Sequence, residues 1–158
     1  KMLALSHQIS EGAIWANASL SHMSKQLSEV PNAVRDDFFL ANMIPTVIDD
    51  DVEAARAVNR RTLTGYVSLP NYRNYWRAAG YVEEMDAIEA AIEAGNKDIL
   101  PSLMSDKWLD DNTISGSASH VRARFEEWAH AGVTPIAVMS STTGGQVKAI
   151  NQLFDVYS

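Results

Sequence analysis

The sequence predicts an α/β protein, helix-rich and with parallel strands, forming one domain over residues 1–158. Three observations predict it. Three short segments are apolar on both faces, the pattern of parallel strands buried on both sides rather than the alternation of a half-exposed antiparallel strand. Helical patterns separate them, as crossovers between parallel strands require. The 158 residues, 46% of them hydrophobic, are enough for one well-packed core.

The elements follow in order. Lys1-Met2-Leu3-Ala4-Leu5-Ser6 is too short and too weakly basic for a signal peptide and reads as the middle of a helix, so further sequence is expected upstream. Gly12–Asn17 is the first predicted strand and Asp37–Ile44 the second. Asn42 is polar within that apolar run and needs a partner, either a ligand or a neighbouring backbone group, the second being slightly favoured. Asp49-Asp50-Asp51 suits a helix N-terminus by capping and by the helix dipole, so Val52–Leu63 is predicted helical. Asn71–Ala79 follows Pro70 and stops at Gly80. Val82–Ala94 sets Met85, Ile88 and Ile92 on one face and stops at Gly95. Ser117–Ala131 opens on a serine, aligns Val121, Phe125 and Trp128, and meets Gly132. Thr134–Met139 is the third predicted strand, and Gln146–Tyr157 aligns Val147, Ile150, Phe154 and Tyr157 at helical spacing.

From about residue 52 to residue 131 no strand is evident, so this stretch is expected to be a helical insertion between neighbouring strands. Three parallel strands cannot close a barrel, and their two open edges are pairing hazards. Either further sequence supplies the missing strands or a second copy covers the edges. A homo-oligomer is therefore expected.

Composition removes several functions. With no cysteine there are no disulfides, thiolate nucleophiles or Cys-based zinc sites. The net charge of −7, with basic residues scattered among acids, argues against nucleic-acid binding. No run reaches the roughly 20 apolar residues that span a bilayer. A cytoplasmic, membrane-free protein is expected. His7, His22, His120 and His130 lack metal-ligand spacing, so no metal site is expected. No Gly-x-Ser-x-Gly elbow or Walker loop occurs, and no catalytic acid, base or nucleophile stands out.

The most suggestive segment is Ser140-Ser141-Thr142-Thr143-Gly144-Gly145-Gln146, directly between a strand and a helix. Ser140 and Ser141 offer hydroxyls, Gly144 and Gly145 allow close backbone approach, and the helix N-terminus adds free N–H groups. Such a loop binds phosphate, although the same residues also make a plain capped turn. Asn17 and Ser19 follow the first strand at its C-terminal end, where they either hydrogen-bond a cofactor headgroup or form an ordinary Asx or Ser turn. Tyr66, Tyr72, Tyr75, Trp76 and Tyr81, with Arg73 and Arg77, are expected to serve packing or a subunit contact. The acidic residues Glu83, Glu84, Asp86, Glu89 and Glu93 are expected to form a solvated helix face.

Several runs resemble the luciferase-like monooxygenase superfamily: Thr64 to Tyr72, then Tyr75-Trp76 and Ala79-Gly80-Tyr81, with Asp49 to Arg56 upstream. Ser115-Gly116-Ser117 and Ala131 to Ile136 are similar to that family's last helix-to-strand passage, and Met2 to Ile14 is similar to an earlier one. Ser140-Ser141 with Gly144-Gly145-Gln146 resembles members that use the deazaflavin coenzyme F-420. The resemblance covers the whole chain but only the C-terminal half of the family pattern. It implies the C-terminal part of a (β/α)8 TIM barrel, strands six to eight. It also implies flavin- or deazaflavin-dependent hydride transfer to or from a small-molecule substrate, with F-420 or FMN as cofactor. Asn17, Ser19, Ser140, Ser141, Gly144 and Gly145 would then hold the cofactor's phosphate end. The chain departs from some deazaflavin members in lacking a lysine just after the first strand. The alternative is a non-enzymatic, truncated half-barrel acting as a binding or assembly module.

Overall fold

The computed structural model describes residues 2–31 and 37–158; Lys1, with which the expected helical opening begins, lies outside them. Helix α1 (Met2–Ile9) leads into strand β1 (Gly12–Ala16), helix α2 (Leu20–Leu27) and strand β2 (Phe39–Ile48). Helices α3 (Val52–Val67), α4 (Pro70–Ala78) and α5 (Val82–Glu93) follow, then a 3-10 helix (Lys97–Leu103) and α6 (Asp106–Asn112). Strand β3 (Ile114–Gly116), helix α7 (Ala118–His130), strand β4 (Thr134–Ser140) and helix α8 (Gly145–Val156) complete the order.

The sheet is parallel throughout, as expected, but it has a fourth strand. β3 lies inside the stretch expected to be wholly helical. Three residues with Ser115 and Gly116 among them carry too little apolar pattern to announce a strand. The register shows where it fits. β1 pairs with residues 39–43 of β2, β4 with 41–47, and β3 with 46–48. A strand has only two edges, so β4 takes one while β1 and β3 share the other, end to end.

Pro45 falls in the gap between them. The N–H groups of Phe39 and Asp49 reach toward that shared edge, onto Glu11 and Gly116. By the two-residue period, Pro45 faces the same edge at the point where no neighbour needs a donor. This is why β2 continues past Ile44, where a proline would ordinarily end a central strand. β1 leaves the edge at Asn17, which has φ of 60°. There Asn42 Oδ1 accepts from the Ala18 N–H at 3.2 Å, the backbone partner expected for it.

The two faces of the sheet differ. Ile44, Ile48 and Met139 pack beneath α2, α7 and α8, against Met23, Val121, Phe125 and Trp128. On the opposite face Ile14, Phe39 and Met43 are 57%, 50% and 41% exposed. Its upper end is covered, where Val47 meets Ala55 and Val58 of α3.

Helices α3 to α6 form a second core around Trp76, Met85, Ile88, Leu100 and Trp108. Trp76 and Trp108 meet edge to face at 4.9 Å, so the aromatic cluster serves packing. The acidic face of α5 is not simply solvated. Glu89 accepts from the buried Arg73 at 2.8 Å, and Asp86 from Arg77 at 2.8 Å. Long-range arginine partners of this kind leave no periodic trace in sequence.

Helix α8 also departs from its apolar pattern. Ala149 and Val156 are buried, whereas Val147 and Phe154 are 74% and 70% exposed. The helix packs on β2, β4 and α7 along one side, and in its larger apolar stripe Val147 and Phe154 are left exposed while Tyr157 lies under the Arg122 guanidinium at 5.7 Å.

Candidate functional site

Because every strand is parallel, the loops after them leave from one end of the sheet, the end at which α/β proteins bind ligands. Asp49 is the joint of that rim. Its N–H donates to Gly116 O at 2.9 Å, at the end of β3. Its carboxylate accepts from the Asp51 N–H at 2.9 Å and from the Thr142 hydroxyl, in the loop after β4. The Thr142 hydroxyl, then the Asp51 N–H, hold the Asp49 carboxyl below the usual carboxylate range. Asp51 caps α3, accepting from the Ala54 N–H at 3.0 Å, so one of the three expected capping aspartates performs that task while Asp49 spans strands.

The loop after β4 gathers four of the residues singled out in sequence. Ser140 lies on the open face with Ile136 and Val138, and its hydroxyl meets no hydrogen-bond partner among the described residues. Ser141 Oγ donates to Thr143 O and accepts from the Thr143 N–H at 3.2 Å, folding the turn on itself. Lys148 Nζ donates to Thr143 Oγ1 at 2.9 Å. Gly144 and Gly145 have φ of 85° and 73°, left-handed values that only glycine adopts in succession without strain. A Cβ at Gly145 would project into open space, and one at Gly144 would meet Lys148 Cδ at 2.6 Å.

Gly144 caps α8 without a side-chain bond, which leaves the helix's first N–H groups available. The Ser141 and Thr142 hydroxyl protons are used within the protein. The donors that remain are the Ser140 and Thr143 hydroxyls, Lys148 and the backbone, a set that fits an anion.

Asn17 and Ser19 are not part of this loop. Ala16 pairs with Met43 and Ser140 with Val47. The four residue steps from Met43 to Val47 on β2 span about 13 Å of strand. Ser19 is fully buried; its hydroxyl donates to Asn112 Oδ1 at 2.6 Å and its N–H to the Tyr75 hydroxyl at 3.2 Å. It thus joins β1 to the helical layer rather than facing a ligand. Asn17 is 4% exposed; its carbonyl accepts from Trp76 Nε1 at 3.2 Å, and its Nδ2 is buried without a partner. The six residues therefore form two places, not one.

A rim cavity of about 530 Å³ escaped the sequence reading. The first turns of α3 and α7 flank it, with Asp50, Arg56, Ser117, His120 and Arg124 in its wall. Gly116, with φ of 148°, makes room for His120, whose Cδ2 a Cβ would meet at 3.0 Å. The charge of Arg56 is already met by Asp110 at 2.6 Å and Glu53 at 2.7 Å. Asp110 is 54 residues from Arg56, so no local spacing reveals the pair. His22 is buried edge-on to Tyr75 at 5.7 Å, and burial lowers its pKa. Among the described residues no cluster of His, Asp and Glu could hold a metal ion. Among them, too, no helix is long and apolar enough to cross a membrane.

The fold is thus helix-rich α/β with a parallel sheet and a glycine-hydroxyl loop at the C-terminal rim of that sheet. The model of the luciferase-like monooxygenase family matches residues 1–135, and the chain belongs to that family. Two solved structures are similar over 98% of the chain. One is the coenzyme F-420-dependent tetrahydromethanopterin reductase from Methanopyrus kandleri, with 18% identity and a TM-score of 0.70. The other is an F-420-dependent secondary alcohol dehydrogenase in complex with an F-420–acetone adduct, with 11% identity and a TM-score of 0.64. The chain spans 46% and 44% of these two proteins, about half of each. No curated protein matches the chain.

Proposed function

We propose that the chain forms strands six to eight of a luciferase-like (β/α)8 barrel and carries one wall of a deazaflavin or flavin site. The full barrel would transfer hydride between that cofactor and a small organic substrate. The observation that carries this reading is the loop after β4, where two consecutive left-handed glycines, unused hydroxyls and an open helix N-terminus stand at the rim of an apolar parallel sheet. Coenzyme F-420 is favoured over FMN because both solved structures above are named for it.

In this reading Ser140, Thr143, Lys148 and the N–H groups of Gly144 and Gly145 hold the phosphate. Ser141 does so indirectly, by fixing the turn. The cofactor ring, when bound, supplies the hydride chemistry. Met43, Ile136 and Val138 form a water-excluding floor. The strand residues of that floor include no titratable side chain, so this sheet moves no proton at the substrate.

A second reading has its own support: Ile14, Phe39 and Val147 are exposed, and the outer edges of β1 and β4 are unpaired among the described residues. It makes the chain a half-barrel assembly module whose isolated form self-associates. Fluorescence titration with F-420 and with FMN separates the two. Saturable binding supports the cofactor wall, and none at high concentration favours the assembly module. Gel filtration showing a well-folded monomer would count against self-association.

A further inference from the structure

The rim loop carries an electrostatic bias that bears on which phosphate it accepts. Asp49 contacts the loop directly through Thr142, and Asp50 and Asp51 follow it in sequence. Asp50 has no ion-pair partner among the described residues. Against these three carboxylates the loop sets one ammonium, Lys148, on the first turn of α8. His120 and Arg124 on α7, Arg56 on α3 and Asp110 on α6 are the other charged or titratable groups in the adjoining cavity wall, and Arg56 is already paired with Asp110 and Glu53. Arg124 is already paired with Glu127.

A second negative charge on a bound phosphate is therefore opposed more than the first is attracted. We propose that Asp49 makes this loop select a singly charged phosphodiester over a doubly charged phosphate monoester. The inference rests on the reading that the loop holds a cofactor phosphate, and it names the class of that phosphate. A phosphodiester carries one charge at any pH of interest. A monoester gains its second charge near pH 6. FMN carries a monoester and the deazaflavin coenzyme a diester, so the bias separates the two cofactors. Asp49 remains ionised across this window, because the Thr142 hydroxyl lowers its pKa. Thr142 contributes by holding the carboxylate against the loop while withdrawing its own hydroxyl proton from any ligand.

The test uses the whole chain and two small probes, methyl phosphate and dimethyl phosphate, read by NMR at the Gly144, Gly145 and Gln146 amides. At pH 5 the two are expected to bind alike, both singly charged. At pH 8 methyl phosphate is expected to bind roughly three- to tenfold more weakly than dimethyl phosphate, the scale of one extra charge near a partly exposed carboxylate. Asp49→Asn is expected to erase the difference at pH 8, whereas Thr142→Val, which keeps the carboxylate, retains most of it.

A monoester that binds at least as tightly as the diester at pH 8 overturns the proposal. So does a ratio that Asp49→Asn leaves unchanged. If neither probe moves these amides in wild type or variant, the phosphate reading of the loop falls, and the selectivity with it.

Discussion

The indole nitrogen of Trp76 lies 2.8 Å from Oδ1 of Asn112, an oxygen that also accepts the Ser19 hydroxyl at 2.6 Å. Trp76 is on α4, Asn112 ends α6, and Ser19 follows β1. One buried amide thus fastens the helical layer to the sheet, and its Nδ2 donates to Trp108 O at 2.6 Å. Asn112→Ala strands the buried Ser19 donor and weakens the Trp76 anchor. A loss of about 2–3 kcal/mol is expected in urea unfolding at unchanged m-value. A loss under about 1 kcal/mol would mean that the amide does not fasten the two layers.

Two separate pH windows are expected in stability. Burial, then Lys25, lower the His22 pKa, so its contribution is complete above the unfolded value near 6.5 and is lost as pH falls through the depressed folded value. Arg73, then Arg77, lower the Glu89 pKa, so the pair's contribution is present above the unfolded value near 4.5 and is lost below it. Thermal unfolding from pH 7.5 to 3 should show both slopes. His22→Gln should flatten the upper slope and Glu89→Gln the lower. Identical profiles for wild type and His22→Gln would rule out His22 as the source of the upper one.

The apolar stripe of α8 supports a contrast between two substitutions. Phe154 is 70% exposed and Trp128 fully buried. Phe154→Lys is expected to change the stability of the chain by less than about 0.5 kcal/mol, and Trp128→Ala to cost about 3–5 kcal/mol. If the stripe mediates self-association, Phe154→Lys shifts the gel-filtration profile toward monomer at equal stability. A profile that does not move places the self-association elsewhere.

Much of this protein follows from local pattern. The three main strands, the helices stopping at Gly80, Gly95 and Gly132, the capping Asp51 and Ser117, and the luciferase-like motifs are all legible, because each depends on residues a few positions apart. So is the rim loop, since two consecutive glycines between a strand and a helix have few uses. What pattern could not supply was pairing. β3 exists because β1 leaves an edge of β2 vacant above Pro45, and Asp49 reaches Thr142 only because β2 and β4 end side by side. Ser19 and Ser140 read alike in sequence, each a hydroxyl after a strand. The fold turned the first inward onto Asn112 and left the second on the open face. A residue's role at a strand end depends on which neighbour stands beside it, and that neighbour is chosen by sheet register and helix packing across tens of residues.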